Sequence, residues 1–115
     1  MKSPITTHVL DTTRGLPAEG IAVSLEFQTS PNEWKKLASG TTNSDGRIFD
    51  LLSDSYTLQS GIYRLTFETA KYFQANRTAA FYPYVQIVFE ISDTTRHYHV
   101  PLLLNPYGYS TYRGS

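Results

Sequence analysis

Between residues 21 and 28 the side chains alternate without a break: Ile21, Val23, Leu25 and Phe27 are apolar, and Ala22, Ser24, Glu26 and Gln28 between them are small or polar. A period of two marks an extended strand with one face covered, because successive β-carbons point to opposite sides of a sheet. The pattern recurs. Tyr63, Leu65 and Phe67 oppose Arg64, Thr66 and Glu68, and Ile87, Phe89 and Ile91 oppose Gln86, Val88 and Glu90. From Arg96 to Leu104 the apolar face is Tyr98, Val100, Leu102 and Leu104, and the other face carries His97, His99, Pro101 and Leu103. Turn-forming residues punctuate these runs at Arg14-Gly15-Leu16-Pro17, Asn43-Ser44-Asp45-Gly46 and Asn105-Pro106-Tyr107-Gly108, where glycine, proline and asparagine supply the dihedrals that a reversal needs. Residues 69–76 break the alternation. They hold good helix formers and open on Thr69, a residue type that caps, which predicts one short helix there. Seven or eight short strands at spacings of about 8–12 residues with one helix predict an all-β, two-sheet antiparallel sandwich.

The chain of 115 residues suits a single domain spanning 1–115, large enough to bury about two-thirds of its unfolded surface without covalent staples. It has no cysteine, which removes disulfides, thiolate nucleophiles and cysteine-type zinc sites together. Ten basic residues balance ten acidic ones, and no cluster supplies the electrostatic footprint that nucleic acid or an anionic membrane requires. Neither partner is expected. No apolar run approaches the roughly 18 residues of a membrane span, and Met1-Lys2-Ser3-Pro4 is followed by no apolar signal region. The closing Arg113-Gly114-Ser115 is not a peroxisomal tripeptide, so a cytoplasmic protein is expected.

Histidines come first among candidates for chemistry, since imidazole titrates near neutral pH without help. His8 falls in the first strand, and His99 falls on the face opposite Val100, Leu102 and Leu104, pointing away from the core. That face also carries Pro101 and Leu103, and the last strand alternates Tyr107, Tyr109 and Thr111 against Gly108, Ser110 and Tyr112. Apolar residues on both faces of a sheet are the mark of an interface, and self-association is the economical explanation. By this parity Tyr107 and Tyr109 belong to the core and Tyr112 to the outer face. His97 and His99 share a face, and His8 would complete three nitrogens for zinc, but an arginine recruited to the same place would repel the ion, so no metal is assigned. Arg47, after Asp45-Gly46, offers a planar fork of donors for a carboxylate or an acidic heterocycle. There is no G-x-S-x-G elbow, H-E-x-x-H, P-loop or G-x-G-x-x-G, so the usual hydrolase and nucleotide machinery is absent.

Four segments carry a resemblance: Thr6-Thr7-His8-Val9-Leu10-Asp11 with Arg14-Gly15-Leu16-Pro17-Ala18, Thr42-Asn43-Ser44-Asp45-Gly46-Arg47, His97-Tyr98-His99-Val100-Pro101-Leu102-Leu103-Leu104, and the closing Tyr109-Ser110-Thr111-Tyr112-Arg113-Gly114-Ser115. Together they resemble the transthyretin-related proteins that hydrolyse 5-hydroxyisourate, from about residue 5 to the end, with the terminal Tyr-Arg-Gly-Ser as the most specific piece. The resemblance implies a transthyretin-like sandwich of two four-stranded sheets, a helix after the fifth strand, and a homotetramer built as a dimer of dimers with its sites at the dimer-dimer interface. It implies a small-molecule substrate, opened without a cofactor to 2-oxo-4-hydroxy-4-carboxy-5-ureidoimidazoline in urate catabolism. His8, Arg47 and His99 become the catalytic residues, and Tyr112, Arg113 and Ser115 the substrate-binding ones. His97 becomes a neighbour of the site. The other function such a fold serves is a small-ligand carrier with no chemistry, which two histidines and an arginine in one channel argue against.

Overall fold

In the computed structural model, which describes residues 3–53 and 55–114, the alternating runs are strands and pair into two sheets. In chain order the elements are β1 (Ile5–Asp11), β2 (Leu16–Pro17), β3 (Ala22–Ser30), β4 (Glu33–Thr41), β5 (Arg47–Ile48), β6 (Gly61–Phe67), α1 (Thr69–Ala75), β7 (Val85–Ile91), β8 (Tyr98–Asn105) and β9 (Gly108–Thr111). One sheet runs β4-β3-β6-β7; the other runs β2-β1-β8-β9, with β5 also pairing β1. The second sheet therefore has five strands rather than four, because the two-residue β2 and β5 share one edge of β1 end to end. If β2 is discounted as part of a turn, α1 follows the fifth strand.

The all-β sandwich stands, with one departure from a purely antiparallel design: β1 and β8 run parallel, from Ile5 opposite Tyr98 to Asp11 opposite Leu104. A hairpin can join only antiparallel neighbours. Here the chain leaves β1, builds the other sheet, and returns in the same direction some ninety residues later.

Inward faces follow the predicted parity. Ile5 and Val9 of β1, Leu25 of β3, Tyr63 and Leu65 of β6 and Leu102 of β8 are fully buried. Burial of such apolar surface, at about 25 cal/mol per Å², is the main force holding the two sheets face to face. Tyr63 reaches through this core with its polar tip satisfied, since its hydroxyl donates to the Gln59 carbonyl at 2.6 Å.

Two expectations need correction. Thr69 does not cap α1: Glu68 occupies the cap position, and Thr69 is the first helical residue, buried and with its Oγ1 unpartnered among the described residues. Tertiary burial of the helix start outweighed the local capping preference. Tyr107 and Tyr109 are not in the core, being 70% and 43% exposed. Tyr107 lies in the β8–β9 turn, where strand parity has no meaning. Tyr109 has the inner-face parity, opposite Leu104, but β9 is an edge strand with no further neighbour to cover it. Its ring packs edge-on against Tyr82 instead, with 5.4 Å between centroids.

Candidate active site

Strand register alone gathers the expected side chains. In the β1–β8 ladder Thr6 pairs with His99 and His8 with Pro101, and on the other edge of β1 His8 pairs with Arg47. Paired residues share a face, so His8, Arg47 and His99 all project from the outer face of the five-stranded sheet, away from Val9, Val100 and Leu102. The His8 and His99 rings are 6.5 Å apart between centroids and tilted by 33°, a separation that leaves space for a small reacting group between them.

Arg47 owes its place to the turn before it. Asn43 accepts at Oδ1 from the backbone N–H groups of Asp45 (2.9 Å) and Arg47 (3.0 Å), the Asx arrangement that substitutes a side chain for a backbone turn. Gly46 sits at φ +74°, and a Cβ there would collide with the Val9 carbonyl oxygen. Only glycine combines that left-handed dihedral with so close an approach. The turn is thereby pressed onto β1, with Val9 N–H donating to Gly46 O at 2.8 Å. Among the described residues no carboxylate forms an ion pair with Arg47; the Arg64–Glu26 pair, on the other sheet, is the one such contact.

Electrostatics at His8 favour the neutral ring. Its pKa is held below the usual 6.5 first by burial and then by the positive charge of Arg47, while a backbone hydrogen bond at Asp45 and the Asp45 carboxylate pull the other way. Desolvation and a like charge both penalise the imidazolium. At neutral pH His8 therefore offers one donor and one acceptor nitrogen.

The C-terminal tail folds back along β8. Leu102 pairs with Thr111, and a bridge joins His99 to Gly114, with Gly114 N–H donating to His99 O at 2.8 Å. A Cβ on Gly114 would stand 2.7 Å from Cδ2 of His99, so the tail can lie this close to the imidazole only as glycine. The register sets Tyr112 on the site face and Arg113 on the opposite one. Tyr112 is 59% exposed. The Arg113 guanidinium lies over the buried Tyr98 ring, 4.8 Å from the centroid. Alternation along the tail already contained this split, since residues 112 and 113 cannot both face one way in an extended chain. Ser115 lies outside the described residues.

One residue escaped the sequence reasoning. Thr6, 3% exposed, places its hydroxyl 2.8 Å from His99 Nδ1 and 3.1 Å from His97 Nε2. Its parity with His8 was the available signal, but threonine is so common in strands that it attracts no notice. Among the described residues no three His, Cys, Asp or Glu side chains are grouped as metal ligands would be.

The 5-hydroxyisourate hydrolase of Mus musculus is 47% identical over 98% of this chain and 96% of its own. The solved structure of Klebsiella pneumoniae 5-hydroxyisourate hydrolase superposes with a TM-score of 0.84 at 39% identity, covering 96% of this chain and 97% of that one. Sea bream transthyretin, solved in complex with thyroxine, superposes with a TM-score of 0.90 at 29% identity, over 97% of this chain and 95% of its own. The model of the HIUase/Transthyretin family matches residues 5–114, and the chain belongs to that family.

Proposed function

We propose that this protein hydrolyses 5-hydroxyisourate, opening its six-membered lactam ring to 2-oxo-4-hydroxy-4-carboxy-5-ureidoimidazoline. The observation that carries this assignment is the convergence of His8, Arg47 and His99 from three strands on one outer sheet face, in a chain 47% identical to a mouse enzyme of that name. The backbone does not decide between enzyme and carrier, since transthyretin superposes slightly better than the Klebsiella hydrolase. Side chains do, because function resides in sites and not in folds. A carrier of an apolar ligand gains nothing from two imidazoles and a guanidinium facing one another.

Opening the lactam requires a nucleophile, a donor for the developing oxyanion and a proton for the departing nitrogen. Water is the nucleophile. His99 takes a proton from it as the oxygen attacks the carbonyl carbon, and neutral His8 donates a hydrogen bond to the carbonyl oxygen as charge builds there. The C–N bond then breaks, and the proton held by His99 passes to the leaving nitrogen. Arg47 binds the polar, partly anionic substrate through paired hydrogen bonds. Tyr112 walls the pocket, and Ser115 orients His99. Arg113, which lines a recess with His99 and Tyr112, contributes to substrate binding.

A flat sheet face encloses nothing, so the same assignment includes assembly. The half-buried Leu10 and Leu103 flank the site, and Phe81, Tyr107 and Tyr109 are exposed at the sheet's margin. A dimer of dimers that brings two such faces together would cover the apolar residues and close the pocket, in the cytoplasmic setting that a chain without cysteine suits. The test is the decay of the ultraviolet band of freshly made 5-hydroxyisourate. Faster decay with protein is expected, and about a 100-fold loss on His8→Asn or His99→Asn; equal decay with and without protein ends the enzyme assignment.

A further inference from the structure

Thr6 is a buried polar side chain of the site face to which the mechanism above gives no task. Its hydroxyl stands between two imidazole nitrogens, His99 Nδ1 at 2.8 Å and His97 Nε2 at 3.1 Å. A hydroxyl has one proton to give. It donates to one ring and must accept from the other, so the two rings cannot choose their proton positions independently.

Two arrangements satisfy both contacts. In the first, His99 donates from Nδ1 to Thr6, and Thr6 donates to Nε2 of His97. A neutral His99 then keeps the lone pair on Nε2 and can accept a proton there. In the second, His97 donates from Nε2 to Thr6, Thr6 donates to Nδ1 of His99, and a neutral His99 carries its proton on Nε2. A cationic His97 has N–H on both nitrogens and permits the second arrangement only. In that state Nε2 of His99 cannot take a proton from water.

We propose that Thr6 is a positioning residue that couples the protonation of His97 to the tautomer of His99, so that His99 acts as a base only while His97 is neutral. The catalytic half of this inference rests on the hydrolytic assignment above; the proton coupling itself does not. Among the described residues, these groups face the pair. His97 is exposed at the entrance to β8, beside Arg96 and Arg113 in a shallow recess that Gly114 also lines, and Asp93 feels both arginines. His99 faces His8, which stands opposite Arg47. Ser115 lies outside the described residues.

Nitrogen-15 NMR of histidine-labelled protein without substrate reads the tautomers directly, over about pH 5 to 8.5, the range in which imidazoles titrate. His99 should carry its proton on Nε2 once His97 is charged and gain the Nδ1 form only when His97 is neutral, and in Thr6→Val it should cease to follow His97. In the hydrolysis assay Thr6→Val should lose about tenfold to a hundredfold in kcat, the scale on which a group that orients a functional imidazole acts, with little change in KM. Thr6→Ser, which keeps the hydroxyl, should recover most of the loss. His97→Ala should make the acidic limb of the pH profile shallower by one proton. A wild-type His99 tautomer indifferent to His97, or a Thr6→Val protein with wild-type kcat and an unchanged acidic limb, overturns the coupling. If the tautomer follows His97 but neither wild type nor variant speeds substrate decay, the hydrolytic assignment falls and the coupling stands. Should Thr6→Val fail to fold, the wild-type titration and His97→Ala decide the matter alone.

Discussion

An imidazole that must remain neutral near pH 7 needs something to oppose its protonation, and His8 has burial and Arg47. Arg47→Gln removes the second of these, so the His8 pKa should rise, with burial still opposing protonation. Titration of the His8 ring by NMR in the two proteins checks this. The linkage has a definite sign. With the folded pKa below the unfolded one, the unfolded chain binds the proton first as pH falls. The stability tied to a neutral His8 is thus fully present above pH 6.5 and is lost as pH drops from there through the depressed folded value. Much of this was legible in advance: parity placed His99 outward, and the family resemblance, rather than the Asp45-Gly46 turn, grouped Arg47 with His8. Periodicity and turn signals could not pair the two, since that depends on a turn docking onto a strand far from it in the chain.

Among the elements, α1 shows where local rules lose to tertiary ones. Residues 69–75 are helical as their composition predicts, but the start is set by burial of Thr69 rather than by a capping side chain. The end is more regular. Arg77 N–H donates to Gln74 O at 3.0 Å and Thr78 N–H to Phe73 O at 2.8 Å, the paired bonds that close a helix through a left-handed residue. Glycine usually fills that position, and here it is Arg77 at φ +55°. Arg77→Gly should therefore stabilise the protein, by about 0.5–1 kcal/mol once the added freedom of the unfolded chain offsets part of the 1–2 kcal/mol left-handed penalty; urea unfolding midpoints measure it. The edge strand β9 is the second lesson. Its alternation was read correctly for Tyr109 and Tyr112, yet parity names a face and cannot say whether anything lies over it. The parallel β1–β8 pair was likewise hidden, because periodicity reports that a strand has a covered face and not which strand runs beside it.

At the scale of the whole molecule, the proposed pocket depends on a second copy of the chain roofing the outer face of the five-stranded sheet. Dilution supplies a prediction: specific activity should fall in step with dissociation, as sedimentation velocity follows the loss of the assembled form, and full activity in isolated monomers would contradict a shared pocket. The parallel pairing of β1 with β8 has a further consequence for how activity is born. His8 and His99 belong to paired strands some ninety residues apart in the chain, and Gly114 bridges to His99. The site therefore exists only once that long loop is closed, and closing so long a loop is among the slow steps of folding. Recovered turnover after refolding thus marks completion of the native topology, later than the return of sheet content, and makes this enzyme a reporter of its own final folding step.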